Sequence, residues 1–358
     1  MTTKSFCALS LVLAAAAAPA QTPTYMHSPK EFVIDGNTNN NIPYSWYPTR
    51  YQQVYDAASF DVQAPIKAAN LYYRMAGSGG SYGGQVVELA IWLGFAAKGV
   101  DATSATGTFA SNIDATSQKL VVQKTKFNMP KLPNTNWDIK LPFDSGAVFV
   151  YGPVLGQNLV IETRVYGNDQ SNKNFTYPID AWQHIGTSVT NGTYTGCPSS
   201  NPKGAPPSHS VSTSTLKIGT TASFTGSGYV ASTPAVMSLG GTTLALTMPG
   251  TSCQIVNDLL LLFPGLADAS GNYAVPLPIP NDNSLGSISF LTQMFFFDQA
   301  ANSVGITSSR GLVNTLAPYM TGVTCRVYSG DSTGLGNPDT FTSGSITRNY
   351  GLVTRLSD

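Results

Sequence analysis

The chain has 358 residues, enough for two domains of ordinary size, and 11% of them are charged, against roughly 25% in an average soluble protein. The formal net charge is zero and no Lys/Arg cluster stands out, which excludes the basic surface needed to track nucleic-acid phosphates or to hold an anionic membrane. Only three glutamates occur beside 34 Gly and 23 Pro, so long exposed helices are excluded too, and many short, turn-bounded strands are expected.

The chain opens on Lys4, the only charge before His27, followed by an apolar run from Phe6 to Ala18 that ends in Ala18-Pro19-Ala20. A positive start, a short apolar middle and a small-x-small terminus are the marks of a cleaved export signal over residues 1–20, and the run is too short to span a bilayer. Its removal takes the formal charge from zero to minus one and places the mature start near Gln21. No second long apolar run follows, so no membrane insertion is expected after cleavage, and the product is expected outside the cell or in its envelope.

Residues 21–42 read as a polar leader and a turn-rich loop, Asp35-Gly36-Asn37-Thr38-Asn39-Asn40-Asn41. A first β-sandwich domain is expected over 43–186. Its aromatic opening block holds Tyr44, Trp46, Tyr47, Tyr51 and Tyr55, and strand signals follow at 66–75, 85–95, 120–123, 147–151 and 159–166. In the last of these, Ile161, Thr163 and Val165 alternate with Glu162, Arg164 and Tyr166, the period-2 pattern of a strand with one face inward and one in water. Residues 103–112 hold at most a turn of helix, and 129–142 read as a long surface loop.

Residues 187–210, with Ser199-Ser200-Asn201-Pro202 and Ala205-Pro206-Pro207, read as a linker. A second β-sandwich domain is expected over 211–358, with strands at 211–217, 220–226, 235–239, 243–248, 257–263, 271–277, 287–298 and 321–328. Short strands at this spacing indicate an all-β fold of jelly-roll or Ig-like sandwiches rather than alternating β/α units.

Candidate chemistry is sparse. Gly79-Gly80-Ser81-Tyr82-Gly83 fits the G-x-S-x-G pattern, but it lies in a glycine-rich hairpin tip with no helix pattern after it, so a nucleophile elbow is not expected. Of three histidines, His27 and His209 fall in segments read as exposed and mobile, and His184 has no partner at metal-ligand spacing. The Asp35 loop alternates oxygen side chains as a calcium loop does, but Asn40 and Trp46 stand where the glycine and the bidentate acid belong, so an Asx-type turn is the reading. The 281–283 and 331–334 turns have the same status. No carboxylate pair is singled out for glycoside hydrolysis. No metal and no cofactor is expected.

Loss of Cys7 with the signal leaves Cys197, Cys253 and Cys325 for an oxidising compartment. Cys197 and Cys253 sit in Gly/Ser/Thr/Pro settings that suit a loop-to-loop bridge, and Cys325 lies in an alternating stretch that reads as a buried strand thiol. A Cys253–Cys325 bridge is the alternative. The aromatic side chains Tyr44, Trp46, Tyr47, Tyr51, Tyr82 and Trp182, with Tyr72 and Tyr73 nearby, are the candidate binding set. Planar faces rimmed by Asn and Gln suit stacking on sugar rings or on a protein surface, and filling the core is the competing use of the same rings.

From Arg50-Tyr51-Gln52-Gln53-Val54-Tyr55-Asp56 through Thr108-Phe109-Ala110-Ser111-Asn112, the first half resembles the N-terminal module of uncharacterised secreted two-domain β-sandwich proteins of Planctomycetes. The second half is similar to their C-terminal module in Gly196-Cys197, Ser284-Leu285-Gly286, Gln293 and the run from Asp298 to Ser309. Ser252 stands before Cys253 where the family has glycine, and the C-terminal sorting segment of many relatives is absent, which favours free secretion. The resemblance implies no particular reaction. Together these readings point to a non-enzymatic exported protein that binds glycan or cell-surface protein partners. The alternatives are an extracellular polysaccharide hydrolase and a structural surface or matrix component.

Overall fold

A computed structural model describes residues 24–32, 35–45, 48–76, 82–131, 136–170, 174–200 and 204–358. The expected export signal, Trp46, Tyr47 and Gly79 to Ser81 lie outside the described residues. The fold is all-β, with 47% of residues in strands and 6% helical, and every strand pair is antiparallel. No helix among the described residues is long and apolar enough to cross a membrane.

Two sheets enclose the larger core. A six-stranded sheet runs in the order Ser345–Arg348, Thr324–Gly330, Thr49–Tyr55, Leu159–Asn168, Val86–Phe95, Lys119–Asn128. A four-stranded sheet runs Tyr25–Ser28, Thr354–Ser357, Asn70–Tyr73, Ile139–Pro142. Tyr51, Tyr55, Leu89, Ile91, Leu93, Leu159 and Ile161 from the first meet Met26, Leu71, Tyr73, Ile139, Leu141 and Leu356 from the second in one buried cluster. Gln53 stitches this core to the C-terminal strands: its amide donates to the carbonyls of Cys325 and Tyr350, and its carbonyl accepts from the Leu352 amide.

A second set of sheets lies wholly within 187–315. One has the path Thr187–Thr190, Leu312–Thr315, Ser289–Phe297, Pro234–Gly240, Leu261–Leu266. A three-stranded sheet, Ser208–Val211, Thr221–Ser227 and Tyr273–Pro278, packs Phe224, Tyr273 and Val275 against Met237, Met294 and Phe296 of the first. The hairpin Thr243–Thr247 and Gln254–Asn257 is tied down by Gln293, which accepts from the Val256 amide and donates to the Gln254 carbonyl.

The strand pairing departs from the expected division. Thr324–Gly330, Tyr350–Leu352 and Thr354–Ser357 were expected in the second unit but pair with Thr49–Tyr55, Ile179–Gln183 and Asn70–Tyr73. The 187–315 sheets are thus inserted between two portions of chain that share sheets and one core. Thr187–Thr190, expected in a linker, is a strand at the edge of the inserted sheet, and Tyr25–Ser28, expected in a polar leader, is also a strand. Residues 139–142, expected in a surface loop, form a strand whose Ile139 and Leu141 are buried. The helix expected within 103–112 is one turn, Phe109–Asn112.

The expected wet face of 159–166 is covered. Glu162 is fully buried, because residues 101–113 and 331–344 fold over that side of the sheet. Its carboxylate accepts from Gln52 Nε2 at 2.7 Å, Arg50 Nη2 at 3.1 Å and Arg164 Nε at 2.7 Å. Arg164 also donates to Asp339 at 2.8 Å, Tyr166 does so at 2.9 Å, and Arg50 donates to the Phe341 carbonyl. One buried anion therefore holds two cations that in turn fasten the 338–341 turn to the sheet. Glu162→Gln leaves those guanidinium groups without their central anion, and the expected loss is about 3–5 kcal/mol, read as a lower urea midpoint with an unchanged slope.

Cys197 and Cys253 are joined, 56 residues apart, and Cys325 is a buried free thiol on Thr324–Gly330. Of the two pairings open to the sequence, the loop-to-loop one is the pairing present. Burial pushes the Cys325 thiol up to about 11, so it is inert as a nucleophile at neutral pH. A chain lacking residues 1–20 should show no titratable thiol while native and one after denaturation without reductant. Two or more thiols in the denatured chain contradict the bridge.

Candidate binding face

Period-2 alternation sorts the four-stranded sheet into two faces. Met26, Leu356, Leu71 and Leu141 are directly opposite one another across the strands and all are buried. One residue along, His27, Arg355, Tyr72 and Lys140 form the next row and take the other face. The apolar row fixes the register, and the register lines up the cationic and aromatic row.

Trp137, just before Ile139–Pro142, lies over this row. The Arg355 guanidinium stands 4.4 Å from the Trp137 ring and 4.5 Å from the Tyr25 ring, and Arg74 is 5.0 Å from Trp137. Lys140 Nζ is 5.6 Å from the Tyr72 ring. Each such contact contributes about 0.5–1 kcal/mol at exposed sites. Tyr25 keeps 46% of its surface exposed, Lys140 is exposed, and Tyr72, Trp137 and Arg355 are half-buried.

The flanking groups Arg74 and His27 have carboxylate partners within the protein. Arg74 pairs with Asp180, both fully buried, and donates to the Phe32 carbonyl at 2.8 Å. Asp180 also accepts the Gly36 amide at 2.9 Å and 3.1 Å. Only glycine allows that approach, since a Cβ on residue 36 would lie 2.0 Å from the Ala181 carbonyl oxygen. Burial pushes the Asp180 carboxyl up to about 6 against the pull of Arg74. His27 Nδ1 meets Asp61 Oδ2 at 2.6 Å, and the His27 amide donates to Asp61 Oδ1 at 2.8 Å.

The aromatic set expected from sequence is divided differently. Tyr51, Tyr55, Tyr73 and Trp182 are buried because their strands face the core, and Tyr44 is buried from the turn before Thr49–Tyr55. Those rings fill space and present no surface. Tyr82 is half-buried against the same core. Among the described rings of the named set Tyr72 joins the outward row, while Tyr25 and Trp137 were missed because they fall in segments read as a leader and a loop, and Arg355 because no strand was expected after 328. The alternation Tyr25/His27 and Arg355/Ser357 was the signal available.

The expected exposure of His27 and His209 is also corrected. Both are buried, and burial draws His209 down to about 4. His184 Nε2 lies 3.1 Å from the Pro318 carbonyl, and burial lowers its pKa. Asn37 of the loop compared with a calcium site exchanges two hydrogen bonds with the Gln183 backbone, each 2.8 Å. No group of three or more metal-binding side chains occurs among the described residues. A surface cleft of about 420 Å³ on the six-stranded sheet is lined by Glu88, Lys126, Tyr166 and Asp169. Glu88 there is 3.4 Å from Lys124, whose ammonium sits 4.0 Å from the Tyr166 ring.

Burial raises the pKa of Asp61, but the hydrogen bonds and charge of His27 outweigh it and hold the carboxyl below its ordinary value. A carboxyl depressed in the folded state stabilises the fold above its unfolded pKa, about 3.9, and loses that contribution as pH falls through the folded value. The urea midpoint of Asp61→Asn should therefore lie below that of the parent at neutral pH, and the two should converge in strong acid. A gap that persists unchanged into acid contradicts the pairing.

No family model matches the chain, and no curated protein matches it.

Proposed function

We propose that this is an exported, non-enzymatic carbohydrate-binding β protein that holds an extended glycan against the outward face of its four-stranded sheet. The observation that carries this reading is the cross-strand row Arg355, Tyr72 and Lys140, flanked by the partly open rings of Tyr25 and Trp137. Flat aromatic surface beside charged donors suits sugar rings, whose C–H faces stack while their hydroxyls take hydrogen bonds. Export is supported by the Lys4 to Ala20 segment and by the Cys197–Cys253 bridge, which suits an oxidising compartment.

Binding of the chain lacking residues 1–20 to a broad glycan array tests the reading. Tyr25→Ala and Trp137→Ala should each weaken a glycan hit about five- to tenfold, the worth of one aromatic contact. Retention of full affinity in both variants removes this face from the account.

A second reading, assembly with other chains, is favoured by one observation. Leu260, Leu261, Leu262 and Leu266 are all more than half exposed on or beside the edge strand Leu261–Leu266. Pro264 interrupts that edge and lacks the N–H for a further ladder. Size-exclusion with light scattering over a wide concentration range decides it: a constant monomer mass rules assembly out.

A further inference from the structure

The outward row carries two cations, Arg355 and Lys140, that form no ion pair among the described residues. Arg74 is paired with Asp180 and His27 with Asp61. Arg355 and Lys140 have no carboxylate within 4 Å among the described residues. The Arg355 guanidinium makes no hydrogen bond there, and its Nε is buried without an acceptor. Asp61, whose charge acts on Arg355, is engaged by the His27 ring and amide. A half-buried cation without an acceptor is costly to maintain.

The geometry defines what would meet it. Tyr25 and Trp137 flank the guanidinium and limit its movement, leaving a planar fork that suits the two oxygens of a carboxylate better than a single point charge. Arg355 and Lys140 belong to strands separated by Asn70–Tyr73, two strand spacings and hence roughly 9–10 Å apart. Two consecutive sugar rings span that distance. The surface is the outer face of a sheet, partly covered by Trp137, and not its edge, so it offers no backbone ladder to an extended peptide.

We infer that Arg355 and Lys140 form an anion subsite for a carboxylate-bearing polysaccharide, a polyuronate chain lying across the strands of the four-stranded sheet. This rests on the carbohydrate-binding reading above and names its substrate class. Arg355 takes one carboxylate by paired N–H donors. Lys140 takes the charge of a ring further along, Tyr72 supports the sugar face between, and Tyr25 lies on the other side of Arg355.

The test uses isothermal titration of the chain lacking residues 1–20 with polygalacturonate, its fully methyl-esterified form, dextran sulfate and poly-glutamate. Polygalacturonate should bind best, and the methyl ester, with the same rings but no charge, should bind at least tenfold more weakly. Arg355→Ala should weaken polygalacturonate about tenfold or more, and Lys140→Gln about two- to fivefold. Lys140 is exposed, so that variant tests the subsite even if Arg355→Ala fails to fold. Equal binding of the acid and its ester, unaffected by Lys140→Gln, overturns the anion subsite but leaves carbohydrate binding standing. Preference for dextran sulfate or for poly-glutamate also overturns it, the latter pointing to an acidic protein partner. Failure of every polysaccharide, neutral glycans included, overturns both readings.

Discussion

Antiparallel pairing of Tyr25–Ser28 with Thr354–Ser357 is the constraint on which the rest of the first sandwich depends. It brings together segments more than 320 residues apart and completes the sheet that roofs the larger core. Because side chains alternate at every residue, the buried Met26 and Leu356 leave no choice about His27 and Arg355. A slip of one residue would place a guanidinium in the core and a leucine in water. The cross-strand row is therefore a consequence of core packing, and no separate device is needed to assemble it.

The chain is poor in charge, yet several of its few ions are buried. Glu162 gathers Arg50 and Arg164, and Asp180 gathers Arg74 and the Gly36 amide. Each anchors a connecting segment, the 338–341 turn in one case and the Gly36 loop in the other. Such pairs add little net stability over an apolar substitute, but removing one partner leaves an uncompensated buried charge. They hold connecting segments in one place. The Asp180 network lies directly behind Trp137 through Arg74, so it also sets the position of the ring over the His27–Arg355–Tyr72–Lys140 row.

The all-β class was legible in the scarcity of glutamate and the density of glycine and proline, and the Cys197–Cys253 bridge was legible in its loop settings. Strands rich in Val, Ile and Leu, such as Val86–Phe95 and Leu159–Asn168, stood out for the same reason. Short polar strands did not. Tyr25–Ser28 and Thr187–Thr190 have no local apolar signal, because their partners stabilise them from far along the chain. The burial of Glu162 was hidden likewise: its alternating pattern predicts water on one face, and only the distant 101–113 and 331–344 segments cover it. Among the aromatics, sequence recognised that rings were abundant but not which face each took, since that depends on register with strands from the other end of the chain.

The functional account turns on one surface, which hydrogen–deuterium exchange with and without a saturating acidic polysaccharide would map directly. The account predicts added protection in Tyr25–Ser28, Asn70–Tyr73, Ile139–Pro142 and Thr354–Ser357, with no change in the 187–315 sheets. Protection confined to the 187–315 sheets, or to the cleft lined by Glu88 and Asp169, would contradict it.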